Sequence, residues 1–243
     1  MRQHGVRVLS ERDRELLQFV AEQYLVTLPQ LAQLANRCPR TARWLRTRWQ
    51  RAGLVDGAKL LVDEPSAIWL TRHGLAELGL DWKMVRPSYA SIPVMATMVD
   101  VRLAAQEQYP QTRWLSRRLL SHAYPVPSPL PDAVLTNEYG TVAVLVKPRG
   151  LPRRQLEQKV LPLIGRYHQI LLVVPEAGKK TREWFDELGD HASVLAHRRD
   201  PHRVTLPRLP DLAALEPTAA AEQDWPMPGR VDPCGDFPTS PHT

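Results

Sequence analysis

Apolar residues recur at helical intervals through the first fifty positions. Leu16, Leu17, Val20 and Tyr24 follow the stretch SERD, in which Ser10 caps a helix and Asp13 answers from its third position. A second helix starts at TLPQ: Thr27 caps, Pro29 is tolerated in the first turn, and Gln30 closes the box, with Leu31 and Leu34 facing inward. A third is expected from Pro39 to Ala52, ending at Gly53, the residue type favoured just past a helix. LLVDEPSAIWL then predicts two short strands around an acidic, proline-bearing turn, and Thr71 caps a short helix over RHGLAELG. Three helices followed by a two-stranded wing is the winged helix-turn-helix order.

From about residue 88 the pattern changes. ASIPVMATMVDVRLAAQEQY and WLSRRLLSHAY predict two helices, AVLT and TVAVLVKP two strands around the turn NEYG, and RRQLEQKVLPLIGRYH an amphipathic helix. The strand ILLVVP, the helix KKTREWFDELG and a last strand SVLAHR follow. This order implies a small mixed sheet with helices on both faces, so the expected class is α/β (α+β). The expected units are 7–82 (winged helix-turn-helix), 88–206 (α/β/α) and a Pro-rich, acidic tail over 211–243 lacking periodicity and expected to be disordered.

Charge adds a partner. Residues 1–60 hold 11 basic and 5 acidic side chains, residues 101–210 hold 17 and 10, and the tail from 211 reverses to one and six. Two basic blocks suit a polyanion, and double-stranded DNA is the expected one. No apolar run approaches the roughly 18–20 residues that span a bilayer, and the first residues lack a signal-peptide core, so no membrane and a cytoplasmic location are expected. Cys38 and Cys234 have no metal-ligand spacing and are expected to be free thiols.

Projecting residues 39–52 on a helix puts Ala42, Leu45, Trp49 and Ala52 on one side and Arg40, Arg43, Trp44, Thr47 and Arg51 on the other. The second face offers the donors a major-groove helix uses on guanine edges and phosphates, with Arg46 and Arg48 on its flanks suited to the backbone. The helix has no acidic residue. A solvated basic face normally mixes in glutamate, whereas unpartnered like charges make sense against phosphates.

PDAVLTNEYGTVAVLVKPRG, residues 131–150, has the outline of a metal-dependent nuclease hairpin, with Asp132 on one strand and Lys147 on the next. Period-two alternation puts Ala143, Leu145 and Lys147 on one face, so Leu145 stands where a second carboxylate would be needed to hold Mg²⁺. Glu157 and Glu138 are the candidate replacements, although Glu157 can pair with Arg153 and Glu138 sits in the turn. The expectation is therefore no cofactor and no catalysis. If the site cuts DNA, Asp132, Lys147 and Glu157 carry it, with Asp132 on Mg²⁺. Lys147, Arg149, Arg153, Arg154 and Lys159 remain as a basic rim suited to a sugar-phosphate backbone.

The runs LSERDRELLQFVAEQYLVTLPQLAQL, PRTARWLRTRWQRAGLV, IWLTRHGLAELGL, VDVRLAAQ, WLSRRLL and PDAVLTNEYGTVAVLVKP together resemble the replication-relaxation proteins of bacterial mobile elements, over about residues 7–175. The resemblance implies a winged helix-turn-helix joined to a PD-(D/E)xK restriction-endonuclease-like domain, acting in plasmid replication, DNA relaxation or transcriptional control. It assigns Arg40, Arg43, Thr47 and Arg51 to the recognition helix and Asp132 and Lys147 to the nuclease-like motif. Two departures remove negative charge: Arg117 replaces an acid in the WLSRR stretch, and Leu145 replaces one in the hairpin. The expected function is sequence-specific DNA binding by a homodimer. The alternatives are a metal-dependent nickase and a scaffold for a relaxase or replication complex.

Overall fold

The computed structural model describes residues 9–59, 65–123, 129–137, 140–147, 151–174, 178–197 and 206. The expected tail over 211–243 lies outside these, as do Glu138, Arg149 and Cys234.

The chain opens with α1 (Glu11–Gln23), which starts as the sequence requires. Asp13 N–H donates to Ser10 Oγ at 3.1 Å, and that hydroxyl donates to Asp13 Oδ2 at 2.7 Å. After β1 (Val26–Thr27), α2 (Leu28–Leu34) is boxed by Thr27 N–H donating to Gln30 Oε1 at 2.9 Å. A four-residue turn leads to α3 (Pro39–Arg51); it reverses through Asn36, whose φ of 50° is left-handed and tolerable for this short polar side chain. Gly53, at φ 71°, ends α3 while its N–H and that of Leu54 satisfy the carbonyls of Gln50 and Trp49.

β2 (Val55–Ala58) and β3 (Ala67–Leu70) follow, and β1 completes an antiparallel sheet in the order β1-β3-β2. The first wing strand thus begins at Val55, ahead of the Leu60–Val62 run expected to form it, which falls outside the described residues. Once Gly53 releases the chain from α3, Val55 is already beside Leu70 and pairing starts at once. Ala52 is likewise exposed at the end of α3 rather than packed inward, because the helix stops one residue earlier than expected. α4 (Arg72–Glu77) is capped by Thr71 Oγ1, which accepts from Gly74 N–H at 3.0 Å.

α5 (Ile92–Gln108) is apolar on nearly every side. Ile92, Ala96, Val99 and Leu103 pack toward the N-terminal helices and sheet, and Met98, Val101, Ala104 and Ala105 toward the second sheet. That sheet is mixed, in the order β4-β5-β6-β7-β8: β4 (Arg113–Ser116), β5 (Ala133–Thr136) and β6 (Thr141–Val146) are antiparallel, and β7 (Gln169–Val174) and β8 (Ala192–Ala196) run parallel to β6. α6 (Arg117–Ala123), α7 (Arg153–Val160) and α8 (Lys179–Glu187) belong to the layer opposite α5, built on Leu120, Leu156, Val160, Trp184 and Phe185. The expected mixed architecture with helices on both faces is what forms.

Two elements differ from the sequence-based expectation. WLSRRLLSHAY is a strand followed by a helix, because Trp114 and Ser116 pair with Leu135 and Ala133 at the sheet edge, and that pairing overrides helical spacing. The helix after the hairpin ends at Val160, and a 3-10 turn replaces its second half, since Pro162 has no N–H for the helical ladder.

Buried polar contacts join the two sheets through α5. Gln30 Nε2 donates to Asp100 Oδ1 at 2.5 Å and to the Ala96 carbonyl at 2.8 Å, while His197 Nε2 lies 3.1 Å from Asp100 Oδ2. Arg102 meets Glu22 at 2.7 Å and lies over the Phe19 ring; burial pulls its pKa below the ordinary value while Glu22 raises it. Arg118 donates to the carbonyls of Ala21 and Lys83, flanked by the rings of Tyr24 and Trp82.

Gly74 gives a sharp test of this packing. A methyl group there would sit 2.0 Å from the Leu54 carbonyl oxygen, which is backbone and cannot rotate away. Gly74→Ala is expected to destabilise by at least about 2 kcal/mol in chemical denaturation. In an open helix the same change would stabilise by roughly 0.5–1 kcal/mol, so the sign itself decides.

Candidate nucleic-acid interface

α3 divides along its length as its sequence requires. Ala42, Leu45 and Trp49 are buried, and Arg40, Arg43, Trp44, Thr47 and Arg51 are exposed, Trp44 at 57%. Among the described residues, Arg40, Arg43 and Arg51 have no acidic partner. Thr47 Oγ1 donates back to the Arg43 carbonyl at 3.0 Å, which fixes its rotamer and leaves its lone pairs outward.

The flanking arginines are engaged within the chain. Arg46 Nε donates to Gln50 Oε1 at 3.1 Å. Arg48 pairs with Asp13, and its guanidinium lies 4.5 Å from the Trp44 ring centre. Asp13, only 6% exposed, also accepts from Trp49 Nε1 at 3.1 Å. A single carboxylate on α1 thus seats α3 by two of its side chains, and Arg48, expected at the DNA backbone, is held by Asp13. Cys38, exposed at the start of α3, lies 3.5 Å from Thr41 Oγ1, and that hydrogen bond draws its thiol pKa below the usual value.

The second candidate is a cleft of about 100 Å³ lined by Arg117, Asp132, Leu145, Lys147, Lys159 and the apolar side chains around them. Asp132 sits just before β5 and holds the hairpin together: its N–H donates to the Val144 carbonyl at 2.9 Å, and its Oδ2 accepts from Val146 N–H at 2.9 Å. Its other oxygen, Oδ1, accepts from Arg117 Nη1 at 3.1 Å. The structure brings Asp132 and Lys147 together with Leu145 between them, as the alternation predicts.

Mg²⁺ takes hard oxygen ligands in near-octahedral order, usually from one or two carboxylates and waters. Here both oxygens of Asp132 already accept, one from a cation, and Leu145, 4% exposed, offers no ligand. Glu157 is tied to Arg153 at 2.6 Å. Among the described residues no three His, Cys, Asp or Glu side chains lie close enough to hold a metal ion. The described residues at this cleft do not fit the ion that the nuclease alternative requires.

Arg153 and Arg154 are exposed on α7, with Arg153 5.6 Å from the Trp184 ring centre. Sequence reasoning missed that Arg117 reaches Asp132: Arg117 is the first residue of α6, and the pairing of β4 with β5 just before it brings it beside Asp132. It also gave Asp13 a capping role alone, although an aspartate in place of the usual Glu or Gln was the available signal of another duty. Comparisons with models of protein families, with curated proteins and with solved structures gave no match.

Removing the Asp13 carboxylate leaves Arg48 and the Trp49 indole N–H without their acceptor. Asp13→Ala is expected to cost about 2–3 kcal/mol in urea denaturation. Arg48→Met should cost less, because Asp13 keeps Ser10 and Trp49. Equal losses would show that Asp13 does not act as a hub.

Proposed function

We propose that this protein binds double-stranded DNA sequence-specifically through α3, and that its second unit is a nuclease-like frame that holds nucleic acid without cutting it. The observation that carries this reading is the outer face of α3, where Arg40, Arg43 and Arg51 stand exposed beside Thr47 with no acidic partner among the described residues. Unpaired like charges on one helix face repel, and a phosphate backbone relieves that repulsion while releasing counterions. The helix is presented by an order of helices and antiparallel strands that suits a winged helix-turn-helix, which inserts this helix in the major groove.

The pairing of Arg117 with Asp132 supports the non-catalytic half of the proposal, since a guanidinium occupies the carboxylate that a metal ion would need. The likeness of the sequence to replication-relaxation proteins suits such a binder on a plasmid or other mobile element, as a regulator or replication accessory. A homodimer on a two-fold site is the matching assembly.

The test is a gel shift on DNA from the protein's own locus with Mg²⁺ present, using a supercoiled plasmid lane to display nicking. Wild type is expected to shift the DNA and leave the plasmid intact. Arg40→Ala/Arg43→Ala/Arg51→Ala should bind at least tenfold more weakly, and its salt slope should fall by about one unit for each phosphate no longer neutralised. Undiminished binding by the triple variant would remove α3 from the interface. Mg²⁺-dependent nicking abolished by Asp132→Ala would restore the nuclease reading.

A further inference from the structure

Three cations and one anion face the cleft between the end of β6 and α7. Arg117 spends one hydrogen bond on Asp132, and its remaining guanidinium donors have no acceptor among the described residues. Lys147 follows the last residue of β6, with its backbone fixed by its N–H donating to the Val173 carbonyl at 2.8 Å. Lys159 enters from α7. Neither lysine has an acidic partner among the described residues, although nearby cations do: Arg153 is paired with Glu157 at 2.6 Å and Lys179 with Glu183 at 3.6 Å. Three cations against one carboxylate leave the cleft lining with a net positive charge.

The floor of the cleft is apolar, made by Leu145, Leu156 and Leu172. Low-dielectric walls strengthen the attraction of the lysines for an anion and focus the field at the mouth. The cleft, of about 100 Å³, has room for several waters and for a phosphate group. Asp132 is the one opposing charge; its oxygens are turned to Arg117 and to Val146 N–H, and the three cations outweigh it.

We infer that this cleft is a metal-independent phosphate site, in which Arg117, Lys147 and Lys159 grip one phosphate of a DNA strand. Arg117 provides, as a permanent side chain on Asp132, the positive charge that a divalent ion would otherwise bring. The choice of DNA as the source of the phosphate rests on the function proposed above; the affinity for the anion does not.

The experiment measures binding of labelled duplex DNA to the full chain across a salt series. Lys147→Ala/Lys159→Ala is expected to raise Kd about tenfold and lower the salt slope by about one unit, the signature of a single phosphate left unneutralised. Lys147→Arg/Lys159→Arg, which keeps the charge, should stay near wild type, and circular dichroism melting checks that both variants fold. Duplexes with 5′-phosphate and 5′-hydroxyl ends identify the source: a matching loss for wild type on the hydroxyl duplex marks a strand terminus, and no loss marks an interior phosphodiester. Unchanged affinity and slope in the alanine variant overturn the site, while weakening by the α3 triple variant in the same series would leave the recognition helix standing. If wild type binds no duplex, inorganic phosphate followed by ³¹P line width decides. Broadening that disappears in the alanine variant keeps the phosphate site with another source, and absence of broadening overturns it.

Discussion

Burying a carboxylate is tolerable only where other groups replace its water, and Asp100, 4% exposed in the middle of α5, imposes that condition on the whole molecule. Its two oxygens face Gln30 from α2 and His197 from the end of β8, so its partners come from the surroundings of both sheets. The apolar residues of α5 divide the same way, with Val99 and Leu103 serving one core and Val101 and Ala105 the other. Separating the two halves would strand Asp100, Arg102 and Arg118 without their partners as well as exposing both cores. The N-terminal helices and the mixed sheet are therefore parts of one packed body, although each has its own sheet.

Arginine–carboxylate pairs sort the remaining charge. Asp13 takes Arg48, Glu22 takes Arg102, Asp132 takes Arg117 and Glu157 takes Arg153. The first two are substantially buried and fix helices; the last two are more open, and the Asp132–Arg117 pair lines the cleft. Among the described residues, the cations left without an acidic partner include Arg40, Arg43 and Arg51 on the outer face of α3 and Lys147 and Lys159 at the cleft.

Much of this was legible in the sequence where one local rule dominated. Ser10, Thr27 and Thr71 start helices because short-range bonds within three residues satisfy the first backbone N–H groups, and Gly53 stops α3 because it adopts a left-handed φ. The division of α3 into Ala42/Leu45/Trp49 against Arg40/Arg43/Thr47 follows from the helical period alone. The strand at Arg113–Ser116 was hidden, since its status depends on Val134 and Leu135, residues roughly twenty positions later. Charge alone marked out Arg117 and Arg48, but their partners lie 15 and 35 positions away, and no periodic pattern encodes a contact at that separation. The hairpin pattern picked out Asp132, Lys147 and Leu145, yet it did not show that both oxygens of Asp132 would accept hydrogen bonds within the chain.

The wedging of α5 bears on how a long ligand would be measured. With the helix held on both sides, the offset between α3 and the Arg117 cleft is set by side-chain packing, not by the length of a tether. A ligand long enough to touch both places would meet them at a fixed separation.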